Sequence, residues 1–231
     1  MDDRQLDSLL DELGEHMLEY IGGKKFPRKL RFDELSAIAE RMQSETDKGV
    51  ALREHKIVEG GDVLACKQGC NGCCEEPIMV FQPEAARVWR WLQLPANKAA
   101  RSAFLAAYKP WKARVGATLD ELSKLFDDDE NYLAAHTAAW RLRALCPFNV
   151  EGDCSIYPVR PVVCRTGHAL TTSEFCHGGT DKPAQRVDFV PLDEFVLNAR
   201  RLMLAAHNAT RANPRGRPQS LPEAVHALLS G

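Results

Sequence analysis

Four of the eight cysteines in this chain fall within nine consecutive residues, Cys66-Lys-Gln-Gly-Cys70-Asn-Gly-Cys73-Cys74. An isolated cysteine commonly serves as a small buried apolar residue, but a run this dense is hard to explain by packing. The other four, Cys146, Cys154, Cys164 and Cys176, are separated by seven, nine and eleven residues. Their stretch is punctuated by Pro147, Gly152, Pro158, Pro161, Gly167 and Gly178-Gly179, and it reads as loop. So long a segment without regular structure is unusual inside a domain unless something else orders it, and a bound metal or cluster would do so. Four sulfurs in each of two groups point to a metal-thiolate protein.

A chelating knuckle needs thiolates close in sequence with a permissive turn between them. Cys70-Asn-Gly-Cys73 has that form, with Gly69 and Gly72 giving the turn its freedom. Cys73 and Cys74 are neighbours, so their side chains are expected to diverge, with one serving a second metal or the structure. The wide gaps of the later group require ligands from separate loop segments. The same residue set suits zinc, or iron held in an iron-sulfur cluster of the 4Fe-4S kind, and spacing does not choose between them. Eight thiolates also call for nearby cations, and Lys67, Arg160 and Arg165 are placed in sequence to provide them. His168 and His177 lie close to cysteines but rank below them as ligands. Glu75 and Glu76 read as solvated charge.

The chain has 231 residues, 45% of them hydrophobic and 27% charged, with a formal net charge of -2. That length supports one domain burying roughly 70 to 75% of its unfolded surface, so cross-links are not needed merely to fold. The acidic start Met-Asp-Asp-Arg lacks the basic and apolar blocks of a secretory signal, and no apolar run is long enough to span a bilayer. The expected address is the cytoplasm, where reduced thiols favour metal binding over disulfides. The net charge carries no nucleic-acid signature. Arg211, Arg215 and Arg217 read as a solvated linker.

Periodicity makes the chain mainly α, with at most short strands around an irregular cysteine-rich patch. A single domain over 1–231 divides into N-terminal helices at 1–60, a cysteine-cluster core at 61–190 with a helical insert at 83–145, and C-terminal helices at 191–231. Leu6, Leu9, Leu10, Leu13, Met17 and Ile21 mark a first amphipathic helix, and Leu35, Ile38, Ala39 and Met42 a second, starting behind Asp33 and ending near Gly60-Gly61. Ile78 to Phe81 reads as a short strand. Pro83-Glu84 opens a helix through Val88, Trp89 and Leu92, and Pro95 opens another with a break expected near Pro110. Thr118-Leu-Asp-Glu121 reads as a capping box for a separate short helix, and Asp127 to Glu130 begins one ending near Cys146. A strand is expected at Arg186–Val190, a helix from Pro191 to His207, and a last helix capped at Ser220. An insert folding back on itself would bring Cys74 and Cys146 together.

The block Cys146-Pro-Phe-Asn-Val-Glu-Gly-Asp-Cys154-Ser-Ile-Tyr-Pro-Val-Arg-Pro-Val-Val-Cys164-Arg, taken with Cys66, Cys70, Cys73 and Cys74, resembles the YkgJ-type cysteine-cluster family. That family is named for a C-x-x-C-x-x-C-C run, and the first gap here is one residue longer. The resemblance spans Cys66 to Cys176 and implies a zinc- or iron-chelating domain whose ligands are Cys66, Cys70, Cys73, Cys74, Cys146, Cys154, Cys164 and Cys176. The family's cysteine domain is similar to that of flagellin lysine N-methylases, which implies as an alternative an enzyme that modifies protein side chains. A second alternative is an interaction module that binds a protein partner through the terminal helices. Within the block, Tyr157 is expected to pack and Arg160 to balance thiolate charge. Cys66-x-x-x-Cys70-x-x-Cys73 also equals the spacing of radical enzymes that bind S-adenosylmethionine on an iron-sulfur cluster. Those enzymes carry an aromatic residue where this chain has Gly72 and need alternating strands and helices, which are not legible here.

Overall fold

The structure, a computed structural model, describes residues 30–67, 69–170, 172–178, 185, 189–210 and 217–231. It is mainly helical, with seven α-helices and two small two-stranded sheets among these residues. The helix expected over Leu6 to Ile21 and the arginines at 211 and 215 lie outside them. Of the strand expected at 186–190, residues 186–188 lie outside as well, and Val190 opens a helix instead.

Helix α1, Phe32–Glu59, buries Leu35, Ala39, Met42, Thr46, Val50, Arg53 and Ile57, a spacing of three and four that puts them on one face. Asp33 and Glu34 in its first turn and Lys56 in its last complement the helix dipole. Its cap is Arg31 rather than Asp33: the Arg31 N–H donates to Glu34 Oε2 at 2.8 Å, and Asp33 sits inside the helix. The left-handed residue after it is the second glycine of the pair, Gly61, at φ 84°. The chain then returns to the body through an antiparallel bridge, Leu64 to Leu170.

Strand β1, Met79–Val80, leads into α2, Gln82–Leu92, with Pro83 in the first turn. Helix α3 runs unbroken from Lys98 to Lys124, straight through Pro110 and through Thr118–Glu121, where a break and a new start were expected. Proline inside a helix costs about 3 kcal/mol. Here burial on both sides offsets it. Before Pro110, Phe104 stacks on Phe148 at 4.2 Å; after it, Val115, Leu119 and Leu122 are buried in helical phase. The capping-box letters at 118–121 are therefore overridden by the apolar stripe running through them.

Helix α4, Asp129–Arg141, is capped by Asp128, whose carboxylate accepts from Asn131 N–H. It ends short of Cys146, because Arg143 turns into the left-handed region at φ 51°. The chain thereby reverses, and Cys146 N–H donates to Cys74 O at 2.8 Å, which joins the two cysteine groups as the folded-back insert requires. Strands β2, Asn149–Val150, and β3, Asp153–Cys154, form a hairpin. Glu151 and Gly152 turn it with φ values of 53° and 94°, the paired positive φ that a two-residue hairpin turn demands.

The five-residue helix α5, Val162–Thr166, follows, then α6, Val190–Asn208, and α7, Leu221–Ser230. Strand β4, Gln219–Ser220, pairs antiparallel with β1, Met79 opposite Ser220. Ser220 does precede the last helix, yet its hydroxyl donates to the Glu223 carboxylate instead of accepting a backbone N–H. Helix α2 packs against α1, α6 and α7, and α3 against α4 and α7. Phe148, Ile156, Val159 and Val162 are buried in this helical core. They hook the cysteine-bearing segment 146–166 onto the platform, at about 1.5–3 kcal/mol of burial each.

Candidate metal centre

Four separate stretches supply the eight cysteines. The first run turns at Gly69, whose φ is 85°, and coils into a single 3-10 turn, Gly72–Glu75. Cys70 N–H donates to Lys67 O and Cys74 N–H to Asn71 O. Gly72 matters for closeness rather than for turn freedom: a Cβ there would lie 2.7 Å from the Cys176 Cβ. This absent methyl lets the 3-10 turn carrying Cys176, Glu174–Cys176, sit directly against the first run. Cys154 stands on β3 opposite Asn149, whose side-chain amide donates to Cys74 Sγ at 3.6 Å. Cys164 is on α5. Cys66 Sγ accepts from Ala169 N–H at 3.1 Å, tying the start of the first run to the loop after α5.

All eight cysteines line two adjoining cavities. The larger, about 390 Å³, is lined by Cys66, Cys70, Cys73, Cys164 and Cys176. The smaller, about 80 Å³, is lined by Cys70, Cys73, Cys74, Cys146, Cys154 and Cys164. Cys70, Cys73 and Cys164 belong to both. Every cysteine the sequence singles out is thus brought to one place, and none of the eight is in a disulfide. As the side chains stand, no group of three or more Cys, His, Asp or Glu among the described residues is set in metal-holding geometry.

Four of the thiols, Cys73, Cys146, Cys154 and Cys164, are held in their protonated form. Burial pushes Cys146 up to about 12. It raises Cys154 as well, and Cys164 further. Cys73 is raised first by a hydrogen bond with the Cys74 thiol and then by burial. The neighbouring thiols therefore point toward each other instead of diverging. A soft divalent cation would have to displace these protons, which is how thiolate sites form.

The cations fall into two kinds. Lys67 and Arg160 line the smaller cavity, and the Arg160 guanidinium lies 3.9 Å from the centre of the Tyr157 ring. It depresses both Cys73 and Cys154, opposing their burial. Arg165 also lowers Cys154, less than Arg160 does, but it lines neither cavity. Buried itself, it pairs with Asp47 at 2.6 Å and donates to the Arg160 and Pro158 carbonyls, clamping the segment before Cys164 onto α1.

Two residues carry more of the site than sequence reading grants them. Glu75 is not solvated charge: its side chain is 7% exposed. It accepts from Gly178 N–H at 2.9 Å, meets His177 Nδ1 at 3.1 Å, and receives the Arg143 guanidinium at 3.3 and 3.4 Å. Burial pulls this carboxyl upward, but the hydrogen bonds from Arg143, His177 and Gly178 outweigh it and hold the group below its ordinary value. Glu75 thereby joins the first run to the approach to Cys146 and to the residues after Cys176. Arg53 is the second, buried on α1 and lining the larger cavity. It holds His168, which burial and the Arg53 charge keep neutral down to about 4. Neither histidine therefore stands free as a ligand: His168 is engaged by Arg53 and Glu54, His177 by Glu75.

This donor set fits thiophilic metal ions. Eight thiols line the two joined cavities, Lys67 and Arg160 stand beside them, and polar links outside the thiols tie the cysteine-bearing segments to one another and to α1. No protein-family model, curated protein or solved structure matches the chain.

Proposed function

We propose that the chain is a metal-thiolate protein that chelates zinc or iron through Cys66, Cys70, Cys73, Cys74, Cys146, Cys154, Cys164 and Cys176. One observation carries this reading: eight cysteines from four separate stretches all line two joined cavities, with three of them shared. Packing alone has no reason to gather every thiol of a chain at one spot. It also fits the sequence resemblance to the YkgJ-type cysteine-cluster family. When bound, zinc would cross-link the segments, and an iron-sulfur cluster would add electron transfer. The residues of the chain deliver the ligands, neutralise them with Arg160 and Lys67, and fix their spacing through Glu75 and Arg165. A reducing compartment such as the cytoplasm suits thiols kept for metal. No helix among the described residues is long and apolar enough to cross a membrane.

Elemental analysis of protein purified without oxygen tests the reading. Zinc or iron at one or more equivalents per chain is expected, and a visible absorption spectrum separates them, since iron-sulfur clusters absorb and zinc does not. Neither metal at stoichiometric level would sink the proposal.

A further inference from the structure

The cysteines do not divide between the two cavities as they divide along the chain. Of these cavities, Cys74, Cys146 and Cys154 line only the smaller and Cys66 and Cys176 only the larger, while Cys70, Cys73 and Cys164 border both. Each exclusive set draws on both sequence groups. The smaller set is tied together in three ways. Cys146 N–H donates to Cys74 O at 2.8 Å. The hairpin places Cys154 opposite Asn149, whose amide donates to Cys74 Sγ at 3.6 Å. Cys146 and Cys154 also pack against one apolar cluster, around Phe104 and Phe148. In the larger set, Cys66 Sγ accepts from Ala169 N–H at 3.1 Å and donates to Gly167 O at 3.5 Å, on a loop that lines the same cavity. Cys176 closes on that cavity through its contact with Gly72.

A closed thiolate site takes four ligands, and a thiol serves an ion only from the wall of the cavity that holds it. The smaller cavity has three thiols of its own and needs one of the shared three; the larger has two of its own and needs the other two. Each of the eight is then used once. Division by sequence group would instead put Cys66 and Cys74 on one ion and Cys146 and Cys176 on another, although neither pair lines one of these cavities together. We propose that the protein binds two metal ions, one on Cys74, Cys146 and Cys154, the other on Cys66 and Cys176, with Cys70, Cys73 and Cys164 divided one and two between them. This inference rests on the metal-thiolate reading and names which thiols share an ion. Loading must draw the thiols together, since no described group of three is in metal-holding geometry beforehand. The ties within each set decide which thiols are drawn to the same ion.

Native mass spectrometry of the full chain, stripped of metal, kept reduced and reloaded with zinc, counts the bound ions. The native chain is expected to take up two. Cys66→Ser with Cys176→Ser should abolish one ion and keep the other, and so should Cys74→Ser with Cys146→Ser, although each pair spans both sequence groups. Cys66→Ser with Cys74→Ser should lose both ions, although that pair lies within one run. The ion kept by the first two pairs shows that they still fold. Far-ultraviolet circular dichroism checks the helices of the third, and Cys146→Ser with Cys176→Ser repeats the same contrast in the later group should the third unfold. The inference is overturned if the native chain holds any number of zinc ions other than two, if either of the first two pairs keeps both ions or neither, or if a folded pair from within one sequence group keeps one. A native chain that takes up neither zinc nor, in a parallel loading, ferrous iron would fail the metal reading itself.

Discussion

The helical platform and the cysteine segments are held together by different forces. In the platform, α2 is enclosed by α1, α6 and α7, and fully buried Val88, Leu92, Phe104 and Val225 supply apolar burial in helical phase. The cysteine segments have only 3-10 turns, a two-residue hairpin and a five-residue helix. What joins them is polar and long-range: Glu75 to Arg143 and His177, Arg165 to Asp47, and the Cys146 N–H to Cys74 O. Four apolar hooks fasten them to the platform. The contrast teaches that the order of the platform rests on apolar burial, the hooks Phe148, Ile156 and Val159 included, whereas the order of the cysteine segments beyond those hooks depends on polar links that a metal would reinforce. Structural zinc contributes apparent values of about 10–16 kcal/mol in small thiolate sites, comparable with a whole domain's stability.

The largest expected effect breaks the platform. Phe104→Ala removes a side chain with no exposed area that stacks on Phe148, and should cost about 3–5 kcal/mol. Urea unfolding should show the same loss before and after metal is stripped; a loss confined to the metal-loaded protein would mean that the two regions are not separable. Glu75→Gln comes next. It removes the charge from a buried acceptor serving three other groups and should cost about 1–3 kcal/mol. Hydrogen exchange should quicken around residues 143–146 and 174–178 while α2 keeps its protection, and equal quickening in α2 would contradict the division drawn here.

The smallest effect is a pH response belonging to the platform. Burial holds His207 below its ordinary value of 6.5, and its Nδ1 accepts from Gln82 N–H at the start of α2. A base lowered in this way contributes stability that is complete above 6.5 and is lost as pH falls from there toward the folded value, at about 1.4 kcal/mol per unit of lowering. Relative to His207→Gln, the native chain should lose stability on acidification through that window. Parallel pH curves for the two proteins would refute the assignment.

Much of this is legible in the sequence where the signal is local. The α1 stripe ending at the glycine pair, the strand at Met79–Val80, the Pro83 and Pro191 helix starts and the two cysteine groups all follow from spacing and from residues near one another. The unbroken α3 is not legible, because Pro110 is a local signal against the helix and the burial that outweighs it comes from Phe148, Met79 and other distant chain. Glu75 hides for the same reason: its partners Arg143 and His177 are 68 and 102 residues away, so nothing beside it distinguishes it from Glu76. Arg53 sits on a mostly apolar stripe between Val50 and Ile57, which is the local hint that it is buried.

Whether the eight cysteines act as one centre is tested most directly by alkylating native protein with iodoacetamide, before and after metal removal by a chelator, and mapping each thiol by mass spectrometry. The account predicts that all eight are protected together in the metal-loaded chain and become reactive together once metal is withdrawn. Alkylation of either cysteine group at the same rate with and without metal would contradict it.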